Sequence, residues 1–149
     1  MKKIILFVTL FFCVLNIQSQ EKIYTLTEVD VAPEILKYPL VDSLTTQQNF
    51  KRNLKRYIAI NLDLLEYFEN NNEKTRVFVE FVVLKNGKVK VLRTKGKSIK
   101  AKKNAGNVFK KMKKMKPAKL NEEKVDMKFI IPITFGGIIS IDTTKKNRW

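Results

Sequence analysis

The sequence predicts an α+β fold: a three-stranded antiparallel sheet with two helices packed on one face. The expected order is α-β-β-α-β, after an extended amino-terminal lead-in. Three observations lead there. The segment from Arg76 to Leu84 is apolar on both sides, as a central strand is. The segment from Val125 to Phe135 alternates strictly between apolar and other residues, as a strand with one buried face does. Two further stretches carry apolar stripes at helical spacing, and a sheet with both helices on one face buries every stripe. The length of 149 residues suits one domain.

The amino terminus reads as an export signal. Lys2 and Lys3 precede an apolar run from Ile4 to Leu15, and Asn16, Gln18, Ser19 and Gln20 follow. A basic start, a short apolar middle and a small residue near the cut make a secretory signal peptide over residues 1–19, cleaved after Ser19 or Gln20. A membrane-spanning helix needs about 20 apolar residues, so an inner-membrane anchor is the lesser alternative to a cleaved signal. A lipid-modified Cys13 needs a small residue before it, and Phe12 stands there.

Residues 20–44 form the lead-in, with Pro33, Pro39 and a short strand at Tyr24–Val29, partly folded. The domain proper is residues 45–135. Thr45 with Gln48 three residues on is a capping box. Phe50, Leu54, Tyr57, Ile58, Leu65 and Phe68 share one helical face, and Asn70, Asn71 and Asn72 stop that helix. The apolar strand follows. Asn86-Gly87 then suits a type I′ hairpin turn, because both residues tolerate positive φ. The partner strand, Lys88 to Thr94, places Val89 and Val91 on one side and Lys88, Lys90 and Leu92 on the other.

Ser98 is a helix cap. Behind it Ala101, Ala105, Val108, Phe109, Met112 and Met115 make one stripe, and Pro117 ends the helix. Lys113, Lys114 and Lys116 suit the negative end of its dipole. In the last strand Pro132 cannot donate a ladder hydrogen bond, which points to a sheet edge. Gly136-Gly137 breaks the strand. In the tail, residues 136–149, Ile138, Ile139 and Ile141 add a short strand or bind back.

Composition narrows the chemistry. Lys plus Arg is 30, Asp plus Glu is 14, and the net charge is +16. There is no His and one Cys, so His-ligated metals, His bases and intrachain disulfides are excluded. No metal and no cofactor are expected. Carboxylates occur at Asp30, Glu34, Glu66, Glu69 and Glu80, but no pair is marked out for acid–base work, so the chain is not expected to be an enzyme. The excess charge is local: residues 85–116 hold 14 basic side chains and no acidic one. Lys100, Lys103, Lys110, Lys111, Lys113 and Lys114 form the expected electrostatic face. Such a face is either merely solvated or attracts anionic envelope polymer or membrane surface. Lys outnumbers Arg 25 to 5, which argues against sequence-specific nucleic-acid recognition.

The ordered motifs from Val77 to Phe135 resemble the carboxy-terminal domain of the TonB energy-transducer family. They are the strand Val77-Phe-Val-Glu-Phe-Val-Val-Leu84, then Asn86-Gly87 with Lys88-Val-Lys-Val91. The helix ending Met112-Lys-Lys-Met-Lys-Pro117-Ala118 and the closing Pro132-Ile-Thr-Phe135 complete the set. Upstream, Val29-Asp-Val-Ala-Pro33-Glu34 and Ile58-Ala-Ile-Asn-Leu62 resemble TonB-like proteins of the Bacteroidetes type. The resemblance implies a periplasmic protein that grips a peptide near the amino terminus of outer-membrane transporters, or a related envelope protein. The peptide adds as a strand beside the last strand of the sheet. Carried onto this chain, the docking edge is Val125, Asp126, Met127, Lys128, Phe129, Ile130 and Ile131. The same edge would also serve a homodimer, and its plain alternative is an ordinary edge strand guarded by Asp126 and Lys128. A long Pro-rich spacer, as in full-length transducers, is not expected here, so the chain reads as a stand-alone domain: a soluble relative that docks to envelope proteins, or a degenerate copy.

Overall fold

The computed structural model of the chain describes residues 22–63, 74–136 and 140–141. The signal-peptide reading, Leu65, Phe68, the three asparagines and most of the tail lie outside the described residues. The elements are β1 (Ile23–Tyr24), α1 (Thr46–Asn61), β2 (Thr75–Val83), β3 (Val89–Lys95), α2 (Ile99–Lys110), β4 (Ala118–Leu120), β5 (Glu123–Phe135) and β6 (Ser140–Ile141). The α+β class and the two helices stand as expected.

The sheet is larger and mixed rather than three-stranded and antiparallel. Its order is β1-β5-β2-β3, with β4 and β6 also paired to β5. The antiparallel centre β5-β2-β3 is the expected one, and β2 is flanked by the other two. The additions are short strands gathered on β5, one of them, β1, parallel. β5 has 13 residues and β2 has nine, so residues 123–126 overhang β2, and β4 pairs with Glu123 to Val125 there; β1 and β6 pair instead along the margin of β5 away from β2.

Local chemistry sets the helix starts. Thr45 caps α1, accepting from the Gln48 N–H, while the Gln48 side chain reaches back to the Thr45 N–H. Ser98 caps α2 by accepting from the Ala101 N–H at 3.2 Å. The helix ends differ from expectation. α1 stops at Asn61 with Leu62 extended. α2 stops at Lys110, well before Pro117. The stripe misled because Met112 and Met115 lie in the coil that follows α2 and reach the core from there, not from a further helical turn. Lys110 is therefore the basic residue of the last turn, while Lys113, Lys114 and Lys116 lie past the helix.

Both helices cover one face. Val77, Val79, Phe81 and Val83 of β2 point to it and are buried, as are Met127, Ile131 and Ile133 of β5. A run of rings crosses the layer. Phe50 of α1 lies 4.9 Å from Phe129 of β5, Phe129 lies 5.1 Å from Phe81 of β2, and Phe81 lies 4.5 Å from Phe109 of α2. Such pairs add about 0.5–1.5 kcal/mol each beyond area burial.

Two turns differ from the simple reading. At Asn86-Gly87 only the glycine has positive φ, +82°. The Gly87 N–H donates to the Leu84 carbonyl and the Leu84 N–H to the Lys88 carbonyl, which is a type I turn closed by a left-handed glycine. The two-residue turn with both φ positive lies instead at Asn121 and Glu122, 49° and 63°, between β4 and β5.

The lead-in is folded onto the domain. Val29, Ala32, Ile35 and Tyr38 are buried in the core. Val31 and Lys119 exchange backbone hydrogen bonds, as do Glu34 and Lys116. The Asn49 amide holds Val41 and Leu44, and Arg52 donates to the Pro39 carbonyl at 2.7 Å. The expected strand at Tyr24–Val29 is shorter and earlier, at Ile23–Tyr24.

Candidate functional site

β5 is the element on which the expected docking residues lie, and its two margins differ. One margin pairs with β2 from Met127↔Val83 to Phe135↔Thr75. Elsewhere β5 is claimed piecemeal. Val125 pairs with Ala118, Asp126 with Ile23 and Met127 with Tyr24; near the other end Ile133 pairs with Ile141 and Thr134 with Ser140. Val125, Asp126 and Met127 thus already have partners beyond β2, so the open rim is narrower than the sequence implied. Among the described residues, Lys128 to Pro132 has no second strand beside it.

Pro132 was expected to mark an edge, yet β5 is an interior strand. The conflict resolves locally. Pro132 pairs with Phe78 on the β2 side and falls inside the uncovered stretch, where its missing N–H leaves no ladder bond unmade.

Side chains along β5 divide between faces. Met127, Phe129 and Ile131 belong to the core under the helices. Asp126, Lys128 and Ile130 point to the opposite face. Asp126 is buried and accepts from the Lys85 N–H at 2.6 Å, so it fastens the β2–β3 hairpin rather than meeting a partner. Lys128 reaches Glu80 at 2.5 Å, and Arg93 of β3 reaches the other oxygen of the same carboxylate. Glu80 is one of the carboxylates that no sequence pattern pairs. It is buried and held between two cations, and the Lys128 hydrogen bond, with that of Arg93, lowers its pKa below the usual carboxylate value against the opposing effect of burial.

The Lys-rich face is brought together only in part. Lys103, Lys110, Lys111, Lys113 and Lys114 are exposed on α2 and the coil behind it, and Lys100 is half-buried. Among the described residues no group of three His, Cys, Asp or Glu could hold a metal ion, and no helix is long and apolar enough to cross a membrane.

Sequence reasoning missed β1 and β4 as partners of β5. β4 had a local signal, Asn121 between two β-forming stretches. The parallel pairing of β1 had none, because it joins residues about a hundred positions apart.

No curated protein and no solved structure matches the chain. A family model does. The model described as Gram-negative bacterial TonB protein C-terminal matches residues 68–136, a span that takes in β2, β3, α2, β4 and β5. The match covers the motifs from Val77 to Phe135 but not the stretches Val29–Glu34 and Ile58–Leu62, and residues 68–136 belong to the TonB C-terminal domain family.

Proposed function

We propose that this chain is a non-enzymatic docking module of the periplasm, which takes the amino-terminal peptide of an outer-membrane TonB-dependent transporter as an added strand on β5. The observation that carries the reading is the Lys128–Pro132 stretch, flanked by β2 on one side only among the described residues, within a TonB C-terminal domain. A strand margin is a template for pairing: backbone groups supply affinity and alternate side chains supply selectivity. β1 and β6 hold only two residues of β5 each, so a longer peptide can extend past the window by displacing them.

The test is a titration of the purified, isotope-labelled chain with transporter amino-terminal peptides. Amide shifts centred on residues 126–134 are the expected result. Saturating peptide without shifts there removes the proposal.

A second reading rests on the exposed lysines of α2 and its following coil: contact with anionic envelope polymer or membrane surface. Its signature is salt dependence, since each neutralised phosphate releases a counterion. Retention on anionic vesicles that is unchanged between low and high salt rules it out.

A further inference from the structure

The lead-in presents a surface of its own where it crosses α1. The Tyr38 N–H donates to the Ile35 carbonyl at 3.1 Å, closing a turn with Leu36 and Lys37 at its apex. Ile35 and Tyr38 are buried and root the turn, so the apex residues project outward. Leu36 is 59% exposed, and Leu40 is 49% exposed. Four residues of chain reach at most about 14 Å, so both leucines fall in one footprint. Cations border them. On α1, Asn53, Leu54 and Tyr57 are buried, and Arg52, Lys55 and Arg56 between them are exposed. Arg52 leans over the lead-in and donates to the Pro39 carbonyl at 2.7 Å. Arg56 lies 5.0 Å from the centre of the Tyr38 ring, and Lys37 lies 5.9 Å from the same centre.

These charges are uncompensated. Among the described residues no carboxylate pairs with Lys37, Arg52, Lys55 or Arg56. Asp42 is the one acid from Leu36 to Arg56, and it ion-pairs with none of them. A carbonyl and an aromatic ring hold the two arginines instead, fixing their position without neutralising their charge. We propose that this patch seats the chain on an anionic phospholipid bilayer. Leu36 and Leu40 enter the interface and the four cations meet the headgroup phosphates, at a surface separate from the β5 margin and from the α2 lysines. Shape and charge together select the occupant. A turn apex carrying aliphatic side chains protrudes: it offers a peptide no cleft, but it enters the boundary between headgroups and acyl chains. Lysine and arginine stems lie along apolar surface while their heads reach the phosphates, and each such cation draws the chain to an anionic leaflet. A soluble polyanion would leave the leucines in water. A second copy meeting patch to patch would set the same cations against themselves.

The test mixes the chain, as recovered after export, with phosphatidylcholine vesicles with and without phosphatidylglycerol and reads retention by sedimentation. Retention is expected on the mixed vesicles only. Leu36→Ser with Leu40→Ser should weaken it at least about fivefold, since both side chains leave the interface. Lys37→Glu with Lys55→Glu should weaken it at least about tenfold. All four side chains are exposed, so the thermal midpoint and the transporter-peptide titration on β5 should stay as they are. Lys110→Glu with Lys113→Glu should keep the greater part of the retention, which separates this patch from the α2 lysines. A spin-labelled lipid in the mixed vesicles should broaden the amides of Leu36, Lys37 and Leu40. Equal retention on phosphatidylcholine alone, leucine or lysine variants that bind like the wild type, loss confined to Lys110→Glu with Lys113→Glu, or broadening that spares Leu36 and Leu40 each overturn the proposal. So does equal perturbation of those amides by inorganic phosphate or by a polyglutamate peptide, which would make the patch a site for soluble anions.

Discussion

Replacing Gly87 by alanine tests how the β2–β3 hairpin is held. Gly87 has φ of +82°, a left-handed conformation that costs an L-residue roughly 1–2 kcal/mol. The added Cβ would also lie 3.3 Å from the Met115 carbonyl carbon and closer still to its oxygen. That neighbour is backbone and cannot rotate away. The hairpin must therefore lift from the coil after α2, which breaks the 3.0 Å bond from the Met115 N–H to the Gly87 carbonyl, worth about 1 kcal/mol. The stiffer unfolded chain returns about 0.4–1 kcal/mol. The balance is a loss of about 1–2.6 kcal/mol. With a urea slope of about 1–3 kcal/mol/M, the midpoint should fall by roughly 0.3–2.6 M. Asn86→Gly is the comparison. Asn86 is not among the positive-φ residues, and its Oδ1 accepts from the Lys88 N–H at 2.9 Å, so glycine there should cost up to about 1 kcal/mol rather than help. A Gly87→Ala loss under about 1 kcal/mol, or a gain from Asn86→Gly, would refute the turn and contact reasoning.

Glu122→Gly should stabilise the chain by about 0.5–1 kcal/mol in the same assay, because Glu122 holds φ of 63° and its ion pair to Lys119 is exposed and weak. Glu80→Gln should cost about 1–2 kcal/mol at neutral pH, where two charge-assisted bonds are weakened while both cations can rehydrate. The folded pKa of Glu80 lies below its ordinary 4.5, so the stability it contributes is present above that value and is lost as pH falls through the lowered folded value. Wild type and variant should therefore converge in acid, and a constant gap down to low pH would contradict the assignment. Ile23→Pro removes a β1 backbone donor; if β1 competes for β5, transporter-peptide affinity should rise about fivefold, the worth of one net hydrogen bond near 1 kcal/mol. Unchanged or weaker binding would show that β1 does not compete.

What was legible in the sequence was local or strongly periodic. Thr45-x-x-Gln48 and Ser98 announced the helix starts, because a cap needs only residues three apart. The apolar β2 and the alternating β5 declared themselves by pattern. The bulge at Leu92 did not, since it is fixed by the need to keep Thr94 against α2 and Arg93 against Glu80, two demands from different strands. The end of α2 was hidden for a related reason. Burial in tertiary structure kept Met112 and Met115 apolar, and their spacing mimicked another helical turn. The ion pairs of Glu80 were hidden because its partners come from β3 and β5, which pattern alone does not align.

The docking residues show the same limit in its sharpest form. Pairing on β5 is a matter of which backbone groups remain, and sequence does not number them. The uncovered stretch spans five residues, roughly 17 Å of strand. Only alternate residues direct their N–H and C=O outward, so two or three can pair with an incoming peptide, and the Pro132 nitrogen offers nothing. At about 1 kcal/mol net for each hydrogen bond, the window alone gives a few kcal/mol, which the cost of ordering a peptide largely cancels. Strand addition at β5 therefore needs more length than the resting rim provides. The added length is available at Asp126–Met127 and Ile133–Thr134, each held by a strand of two residues. A peptide that binds well must exchange places with one of them, and its affinity is set by the difference between two pairings rather than by the open edge itself.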